Sequence, residues 1–196
     1  MSKQNLQDMF DRYSDLLQTI TKLSTDTTNK NNSWCSSNYK AYNFDRIIKK
    51  YCRRNRKSIE IRSVDGLTLK NGYLNFIEFK NCLLTSQEND NIKRKIADST
   101  RYIENIILDS CFLSNTKLKA RFILVCSSAT MNGETNYQCV NEAVNLLANK
   151  ASVLEEKAKS IRDYCSLLKF FDEVCIQTPD QFLEKIDQYA FLSNNS

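Results

Sequence analysis

The chain has 196 residues, 26% of them charged and 41% apolar, with a formal net charge of +5, enough for one substantial core in an ordinary globular protein. No apolar run approaches the length needed to span a bilayer, and the N-terminus lacks a basic segment followed by an apolar stretch, so a cytoplasmic protein without a membrane partner is expected. There is no histidine, and the eight cysteines form no Cys-x-x-Cys pair; Ser-His and Cys-His nucleophiles and most zinc sites are excluded, which leaves carboxylates, lysines, hydroxyls or a metal to carry any chemistry.

Residues 2–24 space Leu6, Met9, Tyr13, Leu16, Ile20 and Leu23 alternately three and four apart, which predicts an N-terminal helix (1–24) with a heptad seam. Residues 25–42, rich in Thr, Asn, Ser and Lys, read as a loop or linker on which Trp34 and Tyr39 can dock. The remainder, 43–196, reads as the main domain. It opens with a helix over about 43–56, with Asn43 as N-cap and Phe44, Ile47, Ile48 and Tyr51 on one face. The end of this helix reads KKYCRRNRK over 49–57, where Lys49, Lys50, Arg53, Arg54, Arg56 and Lys57 stand without an acid among them. Such a cluster suits phosphate binding, with salt-dependent affinity for nucleic acid; a solvated helix end whose cations complement the dipole is the plainer reading.

Two β-rich runs follow, 58–69 and 73–81, and then a helix over about 88–110 with Ile92, Ile96, Ile103 and Ile106 as its buried stripe. The near-continuous apolar run 121–128 (RFILVCSS) predicts a strand covered on both faces. After a polar loop over 129–136, a long helix of about 137–168 repeats apolar residues from Val140 and Val144 to Cys165 and Leu168, at spacings of four and three. A seam of about 43 Å calls for a helical partner. The N-terminal heptad of the same chain is the preferred one, a second copy in a homodimer is the alternative, and a break near 149–152 would relieve the need. A strand over 173–177 and a helix over 179–190 close the chain, with Thr178 as N-cap and Pro179 in the first turn.

The runs at 58–69 and 73–81 are joined by Asn71-Gly72, the strongest short-range signal for a hairpin with a type I′ turn. A two-residue turn fixes the register of the hairpin (58–82): residue 70 faces 73, 69 faces 74, and so on until Asp65 faces Glu78, with Cβ atoms about 5 Å apart. Alternation puts Ser63, Asp65, Leu67 and Leu69 on one face with Leu74, Phe76, Glu78 and Lys80. Two apposed carboxylates repel unless a cation sits between them, and a hard divalent ion with waters and a substrate phosphate resolves the conflict. A lysine beside them can orient the attacking water or stabilise charge at phosphorus. A surface salt bridge between Glu78 and Lys80 is the plain alternative, but Ile77 and Phe79 flank Glu78 and imply a strand buried on both faces.

The order helix, hairpin with Asp65, Ile77-Glu78-Phe79-Lys80, helix and strand 121–128 resembles the core of the PD-(D/E)xK nuclease superfamily. The resemblance covers roughly 43–128. It implies a restriction-endonuclease-like α/β fold, an αβββαβ core with a central mixed sheet flanked by helices, to which this chain adds long heptad-patterned helices. It further implies Mg²⁺- or Mn²⁺-dependent hydrolysis of phosphodiesters in DNA or RNA. Matched by position, Asp65 stands at the first acid, Glu78 at the second and Lys80 at the lysine, with Asp65 and Glu78 as metal ligands. Val64 replaces the motif's proline, and Asp45 is the sole acid in helix 43–56 for the role that some members fill there. The competing function is a nuclease-like protein without turnover that binds nucleic acid or protein through its helical arm. Glu60 and Asn81 fall on the opposite hairpin face. Lys93, Arg94 and Lys95 read as a solvated helix face, and Ser127 and Ser128 as marginal candidates for lining a cleft.

Overall fold

The computed structural model describes residues 10–25, 33, 35–56, 62–81, 85–109, 119–126 and 155–192. Six strands form one sheet in chain order: β1 (Leu17–Thr19), β2 (Lys40–Asn43), β3 (Gly66–Lys70), β4 (Tyr73–Lys80), β5 (Lys119–Cys126) and β6 (Glu173–Gln177). The first four are antiparallel neighbours, while β4–β5 and β5–β6 are parallel, so the protein is α/β with a mixed sheet. The helices are α1 (Ile20–Leu23), α2 (Phe44–Arg54), α3 (Ser86–Asp109), α4 (155–168), α5 (Pro179–Glu184) and α6 (Ile186–Tyr189). None of them is long and apolar enough to cross a membrane among the described residues.

Alternation along the central strands divides the core in two. Leu74 and Phe76 of β4 with Ala120, Phe122 and Leu124 of β5 pack against Phe44, Ile47 and Ile48 of α2, Ile92, Ile96 and Ile103 of α3, and Ile161 and Cys165 of α4. Ile77, Phe79, Ile123 and Val125 point the other way, against Ile20, Cys35, Phe182, Ile186 and Tyr189. The strand expected over 121–128 thus owes its continuous apolar run to burial on both sides. Asn43 caps α2 by accepting from the Arg46 N–H at 2.9 Å. Thr178 and Gln181 form a reciprocal capping box at α5, with Pro179 in the first turn. The expected helix over 179–190 is interrupted at Lys185.

The hairpin has the expected register, from Gly66 opposite Ile77 to Lys70 opposite Tyr73. Asn71 and Gly72 carry the positive φ values, 51° and 80°, that a type I′ turn demands. The first strand is shorter than expected: pairing stops at Gly66, and 62–65 peels away from β4 towards α3, where the buried Val64 N–H donates to Ser99 Oγ at 3.0 Å. Residues 57–61, with Lys57 and Glu60, lie outside the described residues.

The expected N-terminal heptad helix does not continue past Asp11; residues 1–9 lie outside the described residues. A 3-10 turn (Ser14–Leu16), β1 and α1 replace it. The physical reason is that its apolar residues serve two cores rather than one seam. Phe10, Tyr13, Leu16 and Leu17 join the α2–α3 side; Ile20 and Leu23 join the other. Between them Leu17–Thr19 pairs with β2, whose edge would otherwise stand open. The expected linker is also partly structural, since Cys35 is wholly buried and Lys40–Asn43 is a sheet strand. That strand precedes α2, so the third antiparallel strand beside the hairpin comes before the helix and not after it. Of the long helix only 155–168 is described, with Ile161 and Cys165 in the core; the seam from Val140 to Leu154, the 149–152 break and the 129–136 loop lie outside the described residues.

Candidate functional site

Glu78 sits in the middle of β4 with no solvent exposure, on the sheet face covered by α3. Its Oε1 accepts a hydrogen bond from Lys95 Nζ at 2.7 Å, and Lys80 Nζ lies 3.7 Å away. The same Lys95 ammonium reaches Asp65 Oδ1 at 3.5 Å. Asp65 is not a ladder residue, because pairing ends one residue later at Gly66. Its Oδ2 instead accepts from the Phe79 backbone N–H at 2.8 Å, so a side chain takes over where the ladder stops. Lys80 donates to Glu88 Oε2 at 2.8 Å, and Glu88 Oε1 accepts from Asn91. The result is an alternating chain of charges: Asp65, Lys95, Glu78, Lys80, Glu88.

Burial is the largest influence on Glu78 and, with the charge of Asp65, pushes its carboxyl up to about 7 against the pull of Lys95 and Lys80. For Lys95, burial works against the charge, but Glu78 and Asp65 outweigh it and hold the ammonium above the ordinary lysine range. Lys80 is raised in the same way, burial being overcome by Glu78 and Glu88. Glu88 is held below its usual value, chiefly by the hydrogen bond from Lys80. One oxygen stands outside this network. Glu78 Oε2 is buried and makes no hydrogen bond among the described residues, a costly state for a carboxylate.

Asp65 and Lys95 form part of the wall of a cleft of about 660 Å³. Asp45 lies in the same wall and accepts from Ser63 Oγ at 3.5 Å. Three cations, Lys22, Arg46 and Arg62, line it as well. A second hollow adjoins it, sharing Asn43, Asp45 and Arg46 and continuing along α2 past Lys49, Lys50 and Arg53. Arg46, Lys49, Lys50 and Arg53 fall on one face of α2 by their spacing; Phe44, Ile47, Ile48 and Tyr51 occupy the buried face. Two of these cations are engaged by exposed acids, Lys49 by Asp45 and Lys50 by Asp15 at 3.1 Å. Arg54 and Arg56 are exposed beyond the trough.

A divalent metal finds a partial fit. No group of three or more carboxylates or thiols is placed to hold an ion among the described residues. Asp65 and the under-satisfied Glu78 can supply two protein ligands, which suits an ion that keeps several waters and shares a substrate phosphate.

Asp65, Glu78 and Lys80 are brought into one network, Lys95 bridging the two carboxylates and Lys80 standing 3.7 Å from Glu78, but the expected cross-strand pairing of Asp65 with Glu78 is not formed, since the ladder stops at Gly66. The sequence reading is also corrected for Lys95, which is no solvated helix residue but the bridge between the two carboxylates. Lys93 and Arg94 remain at the surface, lining a separate hollow with Arg62, Asp90 and Tyr164. Glu88, Arg46 and Arg62 were not singled out by sequence. The one local signal for Glu88 and Lys95 is that, with Asn91, they run at spacings of three and four beside the Ile92–Ile96–Ile103 stripe. Ser127 and Ser128 lie outside the described residues, and Asn81 is exposed. Comparison of the chain with protein-family models, curated proteins and solved structures finds no match.

Proposed function

We propose that this protein is a metal-dependent phosphodiesterase acting on nucleic acid, with Asp65, Glu78 and Lys80 in the roles that the PD-(D/E)xK resemblance implies. The observation that carries the reading is a fully buried Glu78, one oxygen unpartnered among the described residues, held by a Lys95 that it shares with Asp65, where Asp65 and Lys95 line a cation-rich cleft. A purely structural ion pair gains little from such a position, because desolvation consumes most of the attraction. The order helix, hairpin, helix and parallel strand supports the same reading.

Each part of the site has a task. Asp65 and Glu78 would hold Mg²⁺ or Mn²⁺, which when bound supplies Lewis-acid stabilisation of charge on the phosphoryl oxygens. Asp65 Oδ2 is held by the Phe79 N–H, so its other oxygen, Oδ1, keeps a defined direction. Glu88 holds the Lys80 ammonium at the edge of the site, poised as a fixed positive charge. The trough from Arg53 and Lys50 past Lys49 and Arg46 to Arg62 seats a phosphate backbone leading to the carboxylates. A homodimer through the heptad helices forms no part of this reading.

The test uses the full chain with single-stranded DNA, duplex DNA and RNA in Mg²⁺ or Mn²⁺. Cleavage is expected, and Asp65→Ala and Lys80→Ala should each lower it by about 100-fold or more while circular dichroism stays unchanged. A wild-type protein that neither cleaves nor binds Mn²⁺ would sink the proposal. The second reading, a nucleic-acid-binding protein without turnover, is favoured by the neutralising bridge that Lys95 makes, and predicts salt-dependent binding with no cleavage.

A further inference from the structure

We infer that the Lys95 ammonium and a divalent cation are alternative occupants of one seat between Asp65 and Glu78, so that metal binding expels Lys95 into the cleft. The inference rests on the metal-binding part of the proposed function and adds to it a resident competitor built into the chain.

Four observations carry it. Lys95 bridges both carboxylates, at 2.7 Å from Glu78 and 3.5 Å from Asp65, whereas Lys80 stands 3.7 Å from Glu78 and is tied down by Glu88. Two neighbouring carboxylates, one of them wholly buried, stay ionised together only with a cation beside them, so an ion that enters exchanges with the one already there. Glu78 cannot move aside, being wholly buried in a central strand, but the Lys95 side chain is 23% exposed and lines the cleft. Its backbone is anchored by the fully buried Ile92 and Ile96, so the exchange is a side-chain swing on a fixed helix. Finally, the ammonium leaves Glu78 Oε2 without a partner among the described residues. A divalent ion with its bound waters can satisfy both carboxylate oxygens, which gives the exchange a driving force beyond charge alone.

Expulsion has a direction as well. The cleft that would receive the ammonium already holds Lys22, Arg46 and Arg62. Lys95 is repelled there until an anion enters, so the resident lysine keeps Mn²⁺ affinity low in the free protein.

The decisive measurement is Mn²⁺ binding to the full chain by titration calorimetry. Lys95→Met should bind Mn²⁺ at least about tenfold more tightly than wild type, because it removes the competitor. Lys80→Met serves as a control for general charge and should change affinity less. Wild type binding Mn²⁺ as tightly as folded Lys95→Met would overturn the inference and leave the metal reading intact. No Mn²⁺ binding by either protein overturns both. Should Lys95→Met fail to fold, amine labelling of wild type read by mass spectrometry decides the matter. Labelling of Lys95 is expected to rise several-fold relative to Lys80 at saturating Mg²⁺; an unchanged Lys95 rate at saturation overturns the inference.

Discussion

The sheet buries one polar cluster on each of its faces, and the two are built to different standards. On the face away from α3, Asn75 donates to Thr68 Oγ1 at 3.1 Å and accepts from Arg121 at 3.2 Å. Arg121 in turn donates from Nε to Glu173 Oε2 at 2.7 Å, with Nη2 in ion-pair contact with the same oxygen at 2.7 Å, and lies over the Tyr73 ring, 4.1 Å from its centroid. Every polar group of Asn75 and Arg121 that the strand buries has somewhere to go. The unpartnered atom at this cluster's margin, Gln177 Oε1, belongs to a neutral amide. On the α3 face, three residues further along the same β4, Glu78 is an ionisable carboxyl with no exposure and with one oxygen unpaired among the described residues. Burial of a polar residue in a strand is therefore not itself a sign of function. Incomplete satisfaction of a charged one beside an open cleft is the distinguishing feature.

That contrast can be broken from either side. The largest expected effect is on Glu78→Gln, which keeps the shape and removes the charge: Mn²⁺ binding should fall by about 100-fold or more, read by calorimetry, while the urea midpoint does not fall. Arg121→Met should show the reverse. Loss of the Glu173 pair and of the donor to Asn75 should cost about 2 kcal/mol in urea denaturation, with Mn²⁺ affinity unchanged; loss of metal binding in this variant would mean that the two clusters are coupled through β4.

A pH series sharpens the comparison further. Glu78 is held up to about 7 from an ordinary 4.5, so between those values the folded chain keeps a proton that the unfolded chain has lost. Stability from this source is complete below 4.5 and is lost as pH rises towards 7. In chelator-treated protein, wild type should lose stability relative to Glu78→Gln across that window. A difference that grows in favour of wild type with rising pH would show that the Lys95 ion pair governs Glu78 and burial does not. The smallest effect belongs to the trough: Arg46→Glu and Arg53→Glu should each lower the salt dependence of nucleic-acid binding by about one unit of slope, and an unchanged slope would remove α2 from the interface.

Much of the fold was legible because it rests on local signals. Asn71-Gly72 states the turn and thereby the register, and the alternation of β4 places Glu78 and Lys80 on one face with Leu74 and Phe76. Asn43 and Thr178-Pro179 announce their helices by capping chemistry. The N-terminal segment misled because three-and-four spacing is blind to which core each residue enters: Leu16 and Ile20 sit four apart and belong to opposite sides of the sheet. The site was half legible for a similar reason. Asp65 and Glu78 are joined by a turn that the sequence spells out, but Lys95 meets them through packing of α3 on the sheet. Only its spacing with Glu88 and Asn91 separates Lys95 from the neighbouring Lys93 and Arg94.

Helix α3 acts as a toothed rack along the site. Glu88 engages Lys80, Asn91 accepts from the Arg62 guanidinium, Lys95 spans two carboxylates, Asp98 accepts from the Arg62 backbone N–H, and Ser99 accepts from that of Val64. These teeth mesh with both the hairpin and the chain leading into it. Deleting one residue between Asn91 and Lys95 would turn everything beyond it by about 100° and advance it by about 1.5 Å, disengaging Lys95, Asp98 and Ser99 together. Lineages carrying this arrangement should accept substitutions along α3 far more readily than changes in its length.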